Sequence, residues 1–410
     1  MALKRIIIDT QSNALFRGSA VEQNYDQRGG LCQVGEGHAV VTTHPVHADY
    51  LRYWELLGFS IPHLVVAGPY SPRHTLSELI INNTEAQKEI IAFAGRDAAR
   101  LEFFYIEKSE QTLSETLGIP AYCNFDLSLS LSKKLAFKDL CRQLDIPTPD
   151  WCYHPEKDHL IESSRKWLAS GDSLMIKAND GTGGKACGSM LRIDTPLELS
   201  RAAAMIRGSS RQYFTEAMIK EAAAVVSLHW EIDIERKVVP IGLFEHVTRD
   251  DSQVGNSHPT ILDDRVTAGL WSVLQHRLGP YLLQQGAIGF FQCDIIVDRQ
   301  GNPYWIDFNP RKGAGIYVWD MVGRLSAKRL NGASCYFSNE HVTFSRSGQK
   351  FTFTTLFRTL EDILEPGQSP FVVITNPGVL EFGCIDITGI SVQSRQAAEE
   401  ILKAARARLT

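Results

Sequence analysis

Phe290-Phe-Gln-Cys-Asp294-Ile-Ile-Val-Asp298-Arg-Gln-Gly-Asn302-Pro-Tyr-Trp-Ile-Asp307-Phe-Asn309-Pro-Arg311 sets two apolar runs on either side of a polar turn signal. Asp298 to Asn302 reads as the tight turn of a β-hairpin. Centring that turn between Gln300 and Gly301 places Asp294 opposite Asp307. Strand alternation then puts Asn309 on the same face as Asp307. Carboxylates facing each other across a ladder repel, so a positive charge is expected between them. Removing the repulsion by Asp307→Asn is expected to stabilise the ligand-free protein. Two hard carboxylates and an amide oxygen suit Mg²⁺ or Mn²⁺, with phosphate oxygens completing the shell. The competing reading is a solvated hairpin with ordinary surface acids. Phe291, Ile295, Ile306 and Phe308 argue against it, because a ribbon this apolar belongs inside a sheet.

A second stretch lies about 110 residues upstream. Leu174-Met-Ile-Lys177-Ala-Asn-Asp-Gly181-Thr182-Gly183-Gly184-Lys185-Ala-Cys-Gly188 delivers a lysine on an apolar strand and then a glycine-rich loop. Glycines let backbone N–H groups approach phosphate oxygens, and the lysines add charge. The spacing is neither a Walker A loop nor a dinucleotide fingerprint. Taken alone, it also fits a plain glycine-rich hairpin.

Around these motifs the chain is ordinary. It has 410 residues, 44% hydrophobic and 22% charged, with net charge −5. That excludes global disorder and gives no overall footprint for nucleic acid or an anionic membrane. No apolar run reaches the roughly 18 residues of a spanning helix, and residues 1–8 do not read as a signal peptide. The eight cysteines include no Cys-x-x-Cys, so they read as reduced thiols of a cytoplasmic protein. Ala39–Val41, a helix over 47–58 and His63–Ala67 form a βαβ unit, which suggests a parallel sheet. Gly29-Gly30 and Gly35-Glu36-Gly37 precede the first clear strand of that unit and read as loop glycines. Ser132 is expected to cap a helix ending before Ile146-Pro147-Thr148-Pro149. An Ala-rich amphipathic helix is expected over 396–409. The polar run 248–257 between His246 and His258 reads as a substrate loop or an exposed connection. His229 reads as a core or sheet-face residue.

The hairpin and the glycine loop, in this order, resemble the ATP-grasp superfamily of carboxylate–amine ligases over roughly residues 130–315. The resemblance implies an α/β chain with an ATP-grasp fold, two α+β lobes clasping ATP, preceded by a Rossmann-like pre-ATP-grasp domain. It divides the chain into 1–130, 131–215 with the glycine loop, and 216–410 with the metal hairpin and a C-terminal extension. Ser132-Lys-Lys134 with Asp145-Ile-Pro147 resembles the first nucleotide-binding lysine element, with Lys134 the better placed. Lys177 matches the second lysine, at the α-phosphate, and Gly181 to Gly188 the loop over the terminal phosphates. Tyr213-Phe-Thr-Glu216-Ala217-Met-Ile219 resembles the strand whose backbone holds adenine, and Glu221 the residue at the ribose. Asp294, Asp307 and Asn309 match the metal ligands and Arg311 the arginine at the reacting centre. Asp145 stands where glycine is usual, and Asp307 where glutamate is more common.

Residues 307–315 and the ending from Val373 resemble the pheganomycin-type peptide ligases in particular. The implied activity joins a carboxylate, of an amino acid or peptide, to an amine through an acyl phosphate, in specialised metabolism. ATP and Mg²⁺ (or Mn²⁺) are the implied cofactors. Small-molecule substrates are the implied partners, with a carrier protein or peptide and a homodimer left open. The rivals are a thioester-forming or carboxylating ATP-grasp enzyme, a non-catalytic nucleotide-binding module, and an assembly protein whose hairpin acids bind calcium.

Overall fold

The computed structural model describes residues 3–9, 26–69, 71, 73–95, 98–180, 190–249, 252–343 and 351–410. The first sheet orders β1 (Lys4–Ile8), β2 (Ala39–Thr42), β3 (His63–Val66) and β4 (Ala99–Phe103) as β3-β2-β1-β4, all parallel. Ile6, Ile8, Val41, Val65 and Leu101 pack with Ile80, Ile90 and Leu113 from the covering helices. The βαβ unit read from the sequence is present, with helix Ala48–Leu56 burying Tyr50 and Trp54.

The glycine expectation is corrected. Gly29 and Gly30 follow β1 and lie inside helix Asp26–Gln33, not in a loop. A Cβ on Gly30 would sit 2.2 Å from Val40 Cγ1. Glycine at this position lets the helix lie close against β2.

The second sheet is antiparallel: β5 (Trp151–Tyr153), β6 (Leu174–Ala178), β7 (Met190–Ile193) and β8 (Tyr213–Ala217), ordered β5-β8-β6-β7. Leu160, Leu199 and Ile206 from two helices pack on its Leu174 and Ile176. The third sheet has eight strands: β9 (Ala222–Ile232), β10 (Val238–Arg249), β11 (Ser252–His258), β12 (Gly289–Asp298), β13 (Pro303–Asn309), β14 (Tyr336–Thr343), β15 (Phe371–Asn376) and β16 (Cys384–Ser391). Its order is β13-β12-β9-β10-β11-β14-β16-β15. Residues 248–249 and 252–257 of the expected loop are therefore paired strand, β10 against β11, and residues 250–251 lie outside the described residues. The C-terminal helix, Arg395–Leu409, buries Ala398, Leu402, Ala405 and Leu409, while Ile401 is half-buried.

Helix Lys134–Gln143 starts at Lys133, not at Ser132. Ser132 closes the preceding helix, Phe125–Leu131, and its hydroxyl donates back to Leu129 O at 2.9 Å, so it does not cap the next helix. Phe137 stacks on Phe308 of β13 at 5.4 Å, and the Trp305 backbone N–H donates to Pro147 O at 2.9 Å. These contacts fix the helix carrying Lys134 against the hairpin. No helix among the described residues is long and apolar enough to cross a membrane.

Candidate active site

The hairpin pairs Asp294 with Asp307 and Gln292 with Asn309. Nearer the turn the pairs are Val297 with Pro303, Ile296 with Tyr304 and Ile295 with Trp305, so the turn centres on Gln300. A bulge at Ile306 then restores the Asp294–Asp307 pair. Asp298 shapes the turn by accepting from the N–H groups of Gln300 and Asn302 at 2.9 and 2.8 Å.

The positive charge on Asp307 is a lysine. Lys134 Nζ donates to Asp307 Oδ2. Asp294 is held from three sides. Gln292 Nε2 donates to Oδ1 at 2.6 Å, Asn309 Nδ2 to Oδ2 at 3.3 Å, and His246 Nε2 lies 3.2 Å from Oδ1. Burial works against charge on Asp294, but His246 and Arg311 outweigh it and hold the carboxyl below its ordinary range. His229 is buried and pushed down to about 3 by burial, so it stays neutral and partners Ser227 Oγ at 3.0 Å. Arg311 Nη2 donates to Asn309 Oδ1 at 2.9 Å, and its guanidinium lies over Phe104 and Tyr105 at 4.7 and 4.9 Å. These two rings follow β4 of the first sheet, so the N-terminal region orients an arginine of the hairpin.

A second charge cluster lies on β8. Glu216 is buried and accepts from both Lys177 and Lys138. Burial opposes its ionisation, and the two lysines overcome that and hold its carboxyl low. Lys138 also donates to Trp305 O at 3.3 Å. Sequence reading missed Lys138, although it lies four residues after Lys134 and shares its helix face. It also missed Gln292, and His246 in its role at Asp294. Gln292 was legible from its place two residues before Asp294 on one strand, whereas His246 reaches the site only through sheet pairing.

The adenine strand is partly engaged within its own sheet. Ala217 N–H donates to Asp150 O at 2.7 Å and Met218 N–H to Ser173 O at 3.2 Å. A base would therefore meet carbonyls of this strand or the peptide groups of Ile219. Glu221 is exposed at the start of β9, 4.0 Å from Arg299. Gly181, Thr182, Gly183 and Gly184 lie outside the described residues.

The donor chemistry of Asp294, Asp307 and Asn309 fits a hard divalent cation. Among the described residues no three His, Cys, Asp or Glu side chains are arranged to hold a metal by themselves. Two carboxylates and an amide would need oxygens from a bound phosphate to complete the shell.

In overall structure the chain aligns with N5-carboxyaminoimidazole ribonucleotide synthetases along nearly its whole length. The Thermus thermophilus enzyme gives a TM-score of 0.58 at 14% identity, over 99% of this chain and 98% of that one. The Aspergillus clavatus synthase complexed with ATP gives 0.58 at 10%, over 99% and 98%. An ADP complex of such a synthetase gives 0.60 at 10%, over 98% and 96%. This is the ATP-grasp fold. The four-stranded parallel sheet is the α/β domain that precedes it. Lys177 lies on the β5–β8 sheet and Asp307 on the larger sheet that carries the hairpin. No protein-family model matches the chain, and no curated protein matches it in sequence.

Proposed function

We propose that the chain is an ATP-dependent ligase that joins a carboxylate, of an amino acid or peptide in specialised metabolism, to an amine. The observation that carries this reading is the convergence of Lys134, Arg311 and two opposed aspartates on one face of the hairpin, within an ATP-grasp fold. Lys134 and Lys177 would bind phosphate oxygens, and the backbone around Ile219 the base. Asp294, Asp307 and Asn309 would hold Mg²⁺, which offsets charge on the terminal phosphates when bound.

The substrate carboxylate attacks the γ-phosphorus, giving an acyl phosphate and ADP. The amine then attacks the acyl carbon, and phosphate leaves with the bonding pair. Positioning and charge neutralisation by Lys134 and Arg311 do most of the first step. In the second, Arg311 stabilises the oxyanion and the leaving phosphate. No protein nucleophile takes part.

The test is product analysis over a panel of amino acids and peptides. ADP and phosphate should form in proportion to amide, and hydroxylamine should trap a hydroxamate when the amine is withheld. Stoichiometric AMP would refute the reading. A carboxylating reaction is the second reading, supported by the full-length likeness in fold to carboxyaminoimidazole synthetases. ADP release that requires bicarbonate and no other carboxylate would favour it.

A further inference from the structure

We infer that Lys134 and Arg311 are parked on the metal ligands, so that a divalent cation must displace them to bind and, in doing so, releases both toward the phosphates. The inference deepens the proposed function and rests on it for the identity of the phosphate ligand. The exchange at Asp307 stands on the contacts alone.

The oxygens proposed as ligands already have protein partners. Asp307 Oδ2 accepts from Lys134, and Asn309 Oδ1 accepts from Arg311 at 2.9 Å. The Asn309 amide therefore has its NH₂ toward Asp294 and its oxygen toward the guanidinium. Lys134 is nearly buried, and Asp307 is 23% exposed. A cation reaching Asp307 must push aside an ammonium that has little water to retreat into. That step is unfavourable by itself, because like charges close together in a partly buried site repel strongly. It becomes favourable when a phosphate gives the displaced ammonium and guanidinium a new anion. Metal and nucleotide therefore bind cooperatively.

The Glu216 cluster has the same design. If Lys177 leaves for a phosphate, the fully buried Lys138 remains and keeps Glu216 compensated. Lys138 is thus a positioning residue that lets Lys177 go without stranding a buried carboxylate.

The experiment uses the full chain and Mn²⁺ without nucleotide. Lys134→Met should bind Mn²⁺ about tenfold more tightly than the wild type, within the usual range of coupling between sites. Equal or weaker binding by a variant with a wild-type circular dichroism spectrum would overturn the exchange. In case that variant does not fold, the wild type provides a second readout. Acetic anhydride should acylate Lys134 faster once Mn²⁺ is raised to saturate the wild type, with exposed Lys133 as the internal reference. Unchanged Lys134 labelling would equally overturn it. A separate thermal shift with Mg²⁺-ATP keeps the two claims apart. No shift, together with tighter Mn²⁺ binding by Lys134→Met, would end the nucleotide reading and leave the exchange standing.

Discussion

Asp307 faces another carboxylate across the ladder, yet the structure shows no uncompensated repulsion there. Lys134 neutralises Asp307, and Gln292 and Asn309 donate to Asp294 with His246 alongside. The stabilisation expected for Asp307→Asn from the sequence is therefore reversed. The variant should lose about 1–3 kcal/mol, the scale of a hydrogen bond to a charged group, because Lys134 loses its anion. Chemical denaturation checks this. Mg²⁺-dependent stabilisation by ATP should vanish in the same variant. Arg311→Ala should cut both amide and hydroxamate formation by about 2.7–4 kcal/mol of barrier, if the guanidinium acts like a single oxyanion donor. Replacing Phe104 and Tyr105 with leucine should lower the same rate constant more than it weakens ATP binding, because those rings face the Arg311 guanidinium.

At the scale of elements, close packing decides outcomes that propensity would misjudge. An alanine inside a helix normally gains about 1 kcal/mol over glycine. At Gly30 the new methyl would strike Val40, and Gly30→Ala should instead destabilise by about 1–3 kcal/mol through overpacking. Thermal denaturation gives the sign directly. The β14–β16 pair carries a pH signature. Burial opposes charge on His341, but hydrogen bonds to Asp386 and Cys384 outweigh it and raise its pKa to about 10. Asn376 holds the other Asp386 oxygen at 3.0 Å. A raised pKa means that the charged imidazole stabilises the fold fully below the unfolded value of about 6.5, and that this contribution fades as pH climbs toward about 10. Unfolding free energy measured from pH 6 to 10 should fall more steeply for the wild type than for His341→Gln. Parallel curves would exclude the effect.

Across the whole molecule, one lysine ties the N-terminal sheet to the end of the β12–β13 hairpin. Lys312 is buried, with Nζ 3.0 Å from Asp9, 3.2 Å from Glu102 and 2.8 Å from Gln33 Oε1. Burial drives the Asp9 carboxyl upward and Lys312 opposes it. Burial also works against Glu102, but Arg5 and Lys312 hold it low. Lys312→Met would leave buried acids short of a cation and should cost about 3–5 kcal/mol of stability. Because Lys312 follows Arg311, the same change should lower turnover before it unfolds the chain. Activity and circular dichroism measured along one temperature ramp would separate the two losses.

Alternation, turn chemistry and residue type were enough to read the hairpin, the lysine-bearing strand, the first βαβ unit and the C-terminal helix, because each is set by contacts within a few residues. They were enough to oppose Asp294 to Asp307 even though the assumed turn centre was half a position off, since the bulge at Ile306 compensated. Helix Asp26–Gln33 was not legible: its two glycines lower helix propensity, and only packing on β2 explains them. Nor was the lysine that neutralises Asp307. Lys134 and Asp307 are 173 residues apart, and Lys312 and Asp9 are 303 apart. Which cation neutralises which buried carboxylate depends on how sheets and helices stack, and desolvation then makes that choice energetically large.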